Sequence, residues 1–152
     1  MRDADAEVTR LARRLAVKLH DMQALRRSLA LALDKGQPVA ERMDAVRDVA
    51  AVHPPEALRP LLDLLEREGD TSLRSEACRA LAAYEGPEIA STVLKGWKQY
   101  PAAVRVEAVN LLAGRVEWAA ALLAAVGQST VPRTDLNDNT ILRIRALRNK
   151  YL

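Results

Sequence analysis

Residues 73–82 read "LRSEACRALA", and the same phrase in other letters stands at 41–50, "ERMDAVRDVA", and at 104–113, "VRVEAVNLLA". Aligned on their arginines, Arg42, Arg74 and Arg105 fall 32 and 31 residues apart. Two residues after each comes an acid (Asp44, Glu76, Glu107), and then an alanine (Ala45, Ala77, Ala108). Self-similarity with a period of roughly 20–50 residues marks stacked units, none of which buries its apolar face alone. The apolar positions that follow are Val46, Val49 and Ala50, then Cys78, Leu81 and Ala82, then Val109, Leu112 and Ala113. That is one helix face written three times.

Each of these helices is followed by a second whose opening also recurs: "PPEALRPLLDLLE" from Pro54, "PEIASTVLKGW" from Pro87 and "VEWAAALLAAV" from Val116. Pro55 and Pro87 suit a first helical position, where the missing N–H has no partner to lose, and Glu56, Glu88 and Glu117 put negative charge at the positive end of the helix dipole. Gly69 and Gly86 punctuate the gaps. Upstream, Val8, Leu11, Ala12, Leu15 and Leu19 form one apolar stripe and Met22, Leu25, Leu29 and Leu33 another, without the arginine-acid-alanine signature. Terminal repeats are often atypical, so this pair reads as a cap or a worn copy. After Gln128 the periodicity lapses in "STVPRTDLNDN" and resumes with Ile141, Leu142, Ile144, Ala146 and Leu147. The expected architecture is all-α, a right-handed α-solenoid of antiparallel hairpins at 5–34, 38–68, 71–99 and 102–127, closed by a loop and short helix within 128–152.

Composition agrees with a helical stack. Hydrophobic residues make up 49% of the 152, aromatics only 3% with no Phe, so the core is built from Leu, Val and Ala, whose small size lets helices approach closely. The formal net charge of +3 divides unevenly. Residues 1–36 hold eight Lys/Arg against five Asp/Glu, residues 37–127 ten against thirteen, and residues 128–152 five against two. An acidic middle between basic ends argues against one continuous nucleic-acid footprint. The lone Cys78 excludes an internal disulfide and a cysteine-rich metal site. "MRDADAEVTR" has no apolar run behind it and does not read as a signal peptide. No apolar run is long enough to span a membrane.

The repeated arginine is not explained by its own acid, since residues two apart on a helix point in different directions. Stacking at constant register brings an arginine of one repeat near the acid of the next. The expectation is therefore a stacking ladder of Arg42, Arg74 and Arg105 with Asp44, Glu76 and Glu107, set against the plainer reading of a solvated charged face.

The "LRSEACRALA" and "VRVEAVNLLA" segments resemble HEAT-type repeats, of the armadillo-like helical-hairpin class, over about residues 38–127. A narrower likeness lies in "LLAGRVEWAAALLAAVGQSTVPRTDL", Leu111–Leu136, on Arg115, Trp118, Leu122, Leu123, Pro132, Asp135 and Leu136. It resembles the segment that closes the HEAT array in the Planctomycetes-type (PVC) haem-binding membrane-bound dehydrogenases. In that family a propeller-like domain precedes the array and a c-type cytochrome domain follows it. The resemblance implies either a spacer within a longer, exported polypeptide, and then an extracytoplasmic (periplasmic) place, or a stand-alone array; outside that family the expected compartment is cytoplasmic. This chain has no Cys-x-x-Cys-His, so the resemblance implies no cofactor in the chain itself.

Residues with chemical capacity divide into structural and functional readings. Cys78 fills the slot of Val46 and Val109 and reads as a small core residue. His20 and His53 stand at a helix end and a turn with no partner ligand four residues on. No phosphate-binding glycine loop or nucleophile motif occurs, so no catalytic residue and no enzymatic activity are expected. Trp97 and Trp118 pack between repeats or, if exposed on a concave face, anchor a partner. Arg10, Arg13, Arg14 and Lys18 share a helix face suited to phosphates or to an acidic protein. The leading expectation is a non-catalytic scaffold that binds proteins or neighbouring domains. The alternatives are a DNA-binding HEAT-like module and a bilin-lyase-like HEAT protein, the latter with no supporting residue.

Overall fold

The computed structural model describes residues 2–18 and 21–148 and, among these, is all-helical. The helices are α1 (Arg2–Lys18), α2 (Met22–Leu33), α3 (Val39–Val52), α4 (Leu58–Arg67), α5 (Thr71–Leu81), α6 (Pro87–Lys95), α7 (Ala102–Leu112), α8 (Val116–Gly127) and α9 (Asp138–Arg148). Short 3-10 turns stand at Pro55–Ala57, Trp97–Gln99 and Arg133–Asp135.

The boundaries follow local chemistry. The Asp21 carboxylate accepts from the N–H groups of Gln23 and Ala24 at 2.8 and 3.2 Å and caps α2, and Asp70 caps α5 through Leu73 N at 2.9 Å. Asn137 does the same for α9 through Thr140 N at 2.8 Å. Pro87 is the first residue of α6, and Pro38 and Pro101 immediately precede α3 and α7. His53, with φ of 43°, ends α3 in the left-handed conformation, and its N–H bonds Val49 O at 2.9 Å.

Contacts alternate along the chain. α1 touches α3, α3 touches α5 and α5 touches α7; in a second layer α2 touches α4, α4 touches α6 and α6 touches α8. α9 packs on α8, and the turn at Arg133–Asp135 packs on α7. Between the layers lies a core of Leu61, Leu65, Leu73, Leu81, Ile89, Leu112 and Leu122, with Trp97 as its largest member. Ala45, Ala77 and Ala108, the signature alanines, are all fully buried. A residue with only a methyl side chain at that slot lets neighbouring first helices approach closely, which is why the alanine recurs.

The first hairpin departs from expectation. Val8, Leu11 and Leu15 do not turn into the core: they are 65%, 51% and 60% exposed. Instead α1 lays its basic face on α3. Arg13 Nε and Arg14 Nε donate to the Asp48 carboxylate at 3.1 and 3.0 Å, and Arg10 Nη1 reaches Asp44 at 3.5 Å. Asp48 is buried, so its two guanidinium partners compensate a charge withdrawn from water. Because the described side chains of α1 bury so little apolar surface, Asp48→Asn is expected to release it without unfolding the rest. Hydrogen exchange of α1 amides should accelerate by roughly tenfold or more while the global melting temperature stays near wild type.

Candidate functional site

Each signature arginine is a clamp. Arg42 Nε donates to Ala32 O at 3.0 Å, Arg74 Nε to Leu65 O at 2.9 Å and Arg105 Nε to Tyr100 O at 3.0 Å. These carbonyls lie at or just beyond the C-terminal end of the preceding second helix. Such carbonyls lack intrahelical partners and carry the negative end of the dipole, so a guanidinium satisfies both. The far side of each arginine reaches the turn that ends its own hairpin. Arg42 Nη2 bonds Glu68 Oε2 at 2.6 Å, the Arg74 guanidinium lies 5.0 Å from the Tyr100 ring centroid, and Arg105 Nη1 stands 3.5 Å from Asp135 Oδ2. One arginine per hairpin thus ties three successive segments together.

The ladder is built from different cations than the spacing predicted. Asp44, Glu76 and Glu107 do not receive Arg42, Arg74 or Arg105. Glu76 accepts from Arg47 Nη2 at 2.9 Å and Glu107 from Arg79 Nη2 at 2.7 Å, while Asp44 takes Arg10 from the helix before. Arg47 and Arg79 also bond the acid three residues earlier on their own helix, both at 3.2 Å. The physical reason is the offset between neighbouring first helices, which brings the residue three after each acid, not the one two before it, opposite the next acid. The run ends at Asn110, the neutral occupant of the slot held by Arg47 and Arg79. With Arg47 and Arg79 about half exposed, each rung contributes only about 0.5 kcal/mol. Arg42 and Glu68 are both largely buried, which makes that pair far more consequential.

Neither tryptophan is an exposed anchor. Trp97 is 1% exposed and its Nε1–H donates to Asp135 Oδ2 at 3.0 Å; Trp118 is 4% exposed and donates to Gly86 O at 3.2 Å. The Arg115 guanidinium lies 5.0 Å from the Trp118 ring centroid, with its Nη2 on Tyr84 O at 3.2 Å and its Nη1 on Glu85 at 2.9 Å. An indole fits a core when its N–H finds an acceptor, and both have one. Asp135 therefore gathers Trp97 and Arg105 and seals the closing turn onto α7. Of the other residues in that segment, Leu122 is fully buried, Leu136 is partly buried and Leu123 and Pro132 are exposed. Arg10, Arg13 and Arg14 are likewise paired within the chain, with Asp44 and Asp48, although Arg10 and Arg14 keep nearly half of their side-chain surface exposed. The Lys18 side chain, His20, Lys150 and Tyr151 lie outside the described residues.

The lone thiol and the hydroxyls of Tyr84 and Tyr100 are embedded. Burial, with a smaller push from Glu107 against a pull from Arg79, raises the Cys78 thiol to about 12. Burial and Glu56 raise the Tyr84 hydroxyl to about 12 as well, and burial first of all raises Tyr100 further. Among the described residues no three His, Cys, Asp or Glu side chains converge as a metal site. An open groove of about 610 Å³ runs between α1 and α3, walled by Asp5, Glu7, Arg10, Arg13, Glu41 and Asp44. Its charged, open walls differ from the enclosed apolar pockets that take small molecules. No described helix is long and apolar enough to cross a membrane. No family model, curated protein or solved structure matches the chain.

Proposed function

We propose that this chain is a HEAT-like α-solenoid acting as a non-catalytic scaffold that holds protein partners or neighbouring domains at a fixed spacing. The observation that carries this reading is the clamp repeated three times, Arg42, Arg74 and Arg105, each joining one hairpin end to the turn after the next hairpin. Such a device sets the geometry of a stack and handles no substrate. Stacked hairpins offer extended surfaces, and binding is what such surfaces support. The aromatic and thiol groups that chemistry could use are spent on packing here, which favours a scaffold over an enzyme.

Within this reading the chain serves as the spacer of a longer, exported haem-binding dehydrogenase, on the likeness of Leu111–Leu136. Its own residues do not fit a covalently attached haem, which needs two thiols and an axial ligand, because Cys78 is the sole cysteine and is fully buried. Any haem then belongs to a neighbouring domain. Reading the coding DNA for about 300 bases past the Leu152 codon, the length of one small domain, tests this. An open frame reaching Cys-x-x-Cys-His is the expected result; an immediate stop codon overturns the spacer role and leaves a free-standing scaffold. The DNA-binding alternative is weakened by the intramolecular pairing of Arg10, Arg13 and Arg14. A labelled duplex titrated at physiological salt is expected to show no saturable binding, and a salt-steep isotherm there would revive it.

A further inference from the structure

Helix α1 presents an apolar face that the described residues leave uncovered. Val8, Leu11 and Leu15, at spacings of three and four, lie along one side of α1 and are each more than half exposed. The side bearing Arg10 and Arg13 is pinned to α3, and Arg14, at the edge between that side and the stripe, joins it, so the stripe is held pointing away from the body of the protein. The other large exposed apolar residues, Met22, Leu33, Val106, Leu123 and Leu142, are spread over four other helices.

The charge ladder is also open at this helix. Each of Asp44 and Glu76 receives one arginine from its own helix and one from the helix before. Glu7 occupies the equivalent position, three before Arg10, but among the described residues it has only Arg10, at 3.9 Å, and its side chain is 64% exposed. At the other end Asn110 closes the series with a neutral group. Among the described residues Glu7 is thus the acid of this series that no arginine of another helix reaches, and it lies beside the uncovered stripe.

We propose that this face is the contact between two copies of the chain, with the Val8–Leu11–Leu15 stripes packed antiparallel and Glu7 of each copy opposite Arg14 of the other. Written as a heptad, Val8 and Leu15 take position a and Leu11 position d, which places Glu7 and Arg14 at the flanking g positions. Antiparallel packing sets Val8 against Leu11 of the second copy, and in that register residue 7 flanks residue 14 twice over. Parallel packing sets Glu7 against Ala12 and forms no charge pair. Arg14 is 44% exposed while bonded to Asp48, so its guanidinium has room for a second carboxylate. Three half-exposed apolar side chains per copy bury on the order of 600 Å² in the pair, below the roughly 1,000 Å² that a stable specific contact clears, so this is a transient contact. The association is correspondingly weak and reversible, with a Kd on the order of 100 µM.

Sedimentation velocity of the full chain from about 5 µM to 1 mM brackets that Kd and tests the proposal. The expected result is a monomer–dimer equilibrium that Leu11→Glu weakens at least about tenfold, with the thermal melt unchanged because Leu11 is exposed. Glu7→Arg, which sets two cations together, is expected to weaken it as well. Orientation is read by mixing Val8→Cys and Leu11→Cys chains under mild oxidation; antiparallel pairing gives the mixed disulfide faster than either homodisulfide, and the buried Cys78 does not compete. A chain that stays monomeric to 1 mM overturns the proposal, whether or not α1 then binds anionic phospholipid vesicles. So does a dimer that Leu11→Glu leaves intact, or one that forms homodisulfides faster.

Discussion

Trp97→Ala is expected to destabilise the fold by about 4 kcal/mol, the cost of emptying a large, fully enclosed site that the surrounding backbone refills only in part. In a chain of this size that lowers the melting temperature by roughly 12 °C. The loss has two parts. Trp97 is among the largest fully buried side chains, and its Nε1–H also holds Asp135, which anchors the closing turn beside Arg105. Trp97→Phe separates them, since it keeps most of the ring and removes the hydrogen bond. It should cost only about 1–2 kcal/mol, because Arg105 still faces the carboxylate. Thermal denaturation of both variants checks the ranking; equal losses would mean that the indole hydrogen bond, not the cavity, dominates.

Arg42→Met is expected to cost about 3 kcal/mol although the thioether refills most of the volume, because it strands the Glu68 carboxylate in a largely buried site. The Ala32 carbonyl loses its donor at the same time. Adding Glu68→Gln should return part of the loss, since a neutral amide costs less to bury. The pair also predicts a pH signature. Burial on its own raises the Glu68 carboxyl, but the Arg42 hydrogen bond, the N–H groups of Asp70 and Gly69 and the Arg42 charge together bring it below its ordinary value. A lowered folded-state value means that this contribution is complete above the ordinary carboxylate range and is lost as pH falls through the folded-state value. Urea denaturation between pH 7 and 3 should therefore show stability falling on acidification more steeply for wild type than for Arg42→Met.

Much of this fold is legible in three decapeptides. The period, the helix faces and the buried alanines follow from "ERMDAVRDVA", "LRSEACRALA" and "VRVEAVNLLA", because helical spacing and small residues carry their structural meaning locally. What spacing cannot supply is the offset between stacked helices. That offset puts Arg47 and Arg79 opposite the next acid and frees Arg42, Arg74 and Arg105 for the helix ends. The signal was nonetheless present, since Arg47, Arg79 and Asn110 occupy one slot, and only the last is neutral. The forward partners of the clamps, Glu68, Tyr100 and Asp135, share a place but no chemistry, so no pattern of letters unites them. Trp97 and Asp135 are 38 residues apart, and their bond exists only in the folded chain. The orientation of the α1 stripe is out of reach for a related reason: helical periodicity identifies an apolar face but not which side lies against the stack. The buried Asp48 carboxylate draws the arginine face inward instead.

Hairpins in this fold are held chiefly by their neighbours, through the shared core and the repeated arginine clamps. Native-state hydrogen exchange followed by mass spectrometry across a urea series reads this coupling. Nearest-neighbour coupling predicts graded protection, with α1 opening at the lowest free energy and α5, packed between α3 and α7, at the highest. Arg42→Met should then lower protection most in α2, α3 and the α4–α5 turn. A single opening free energy shared by every helix, or an α1 as protected as α5, would contradict this coupling.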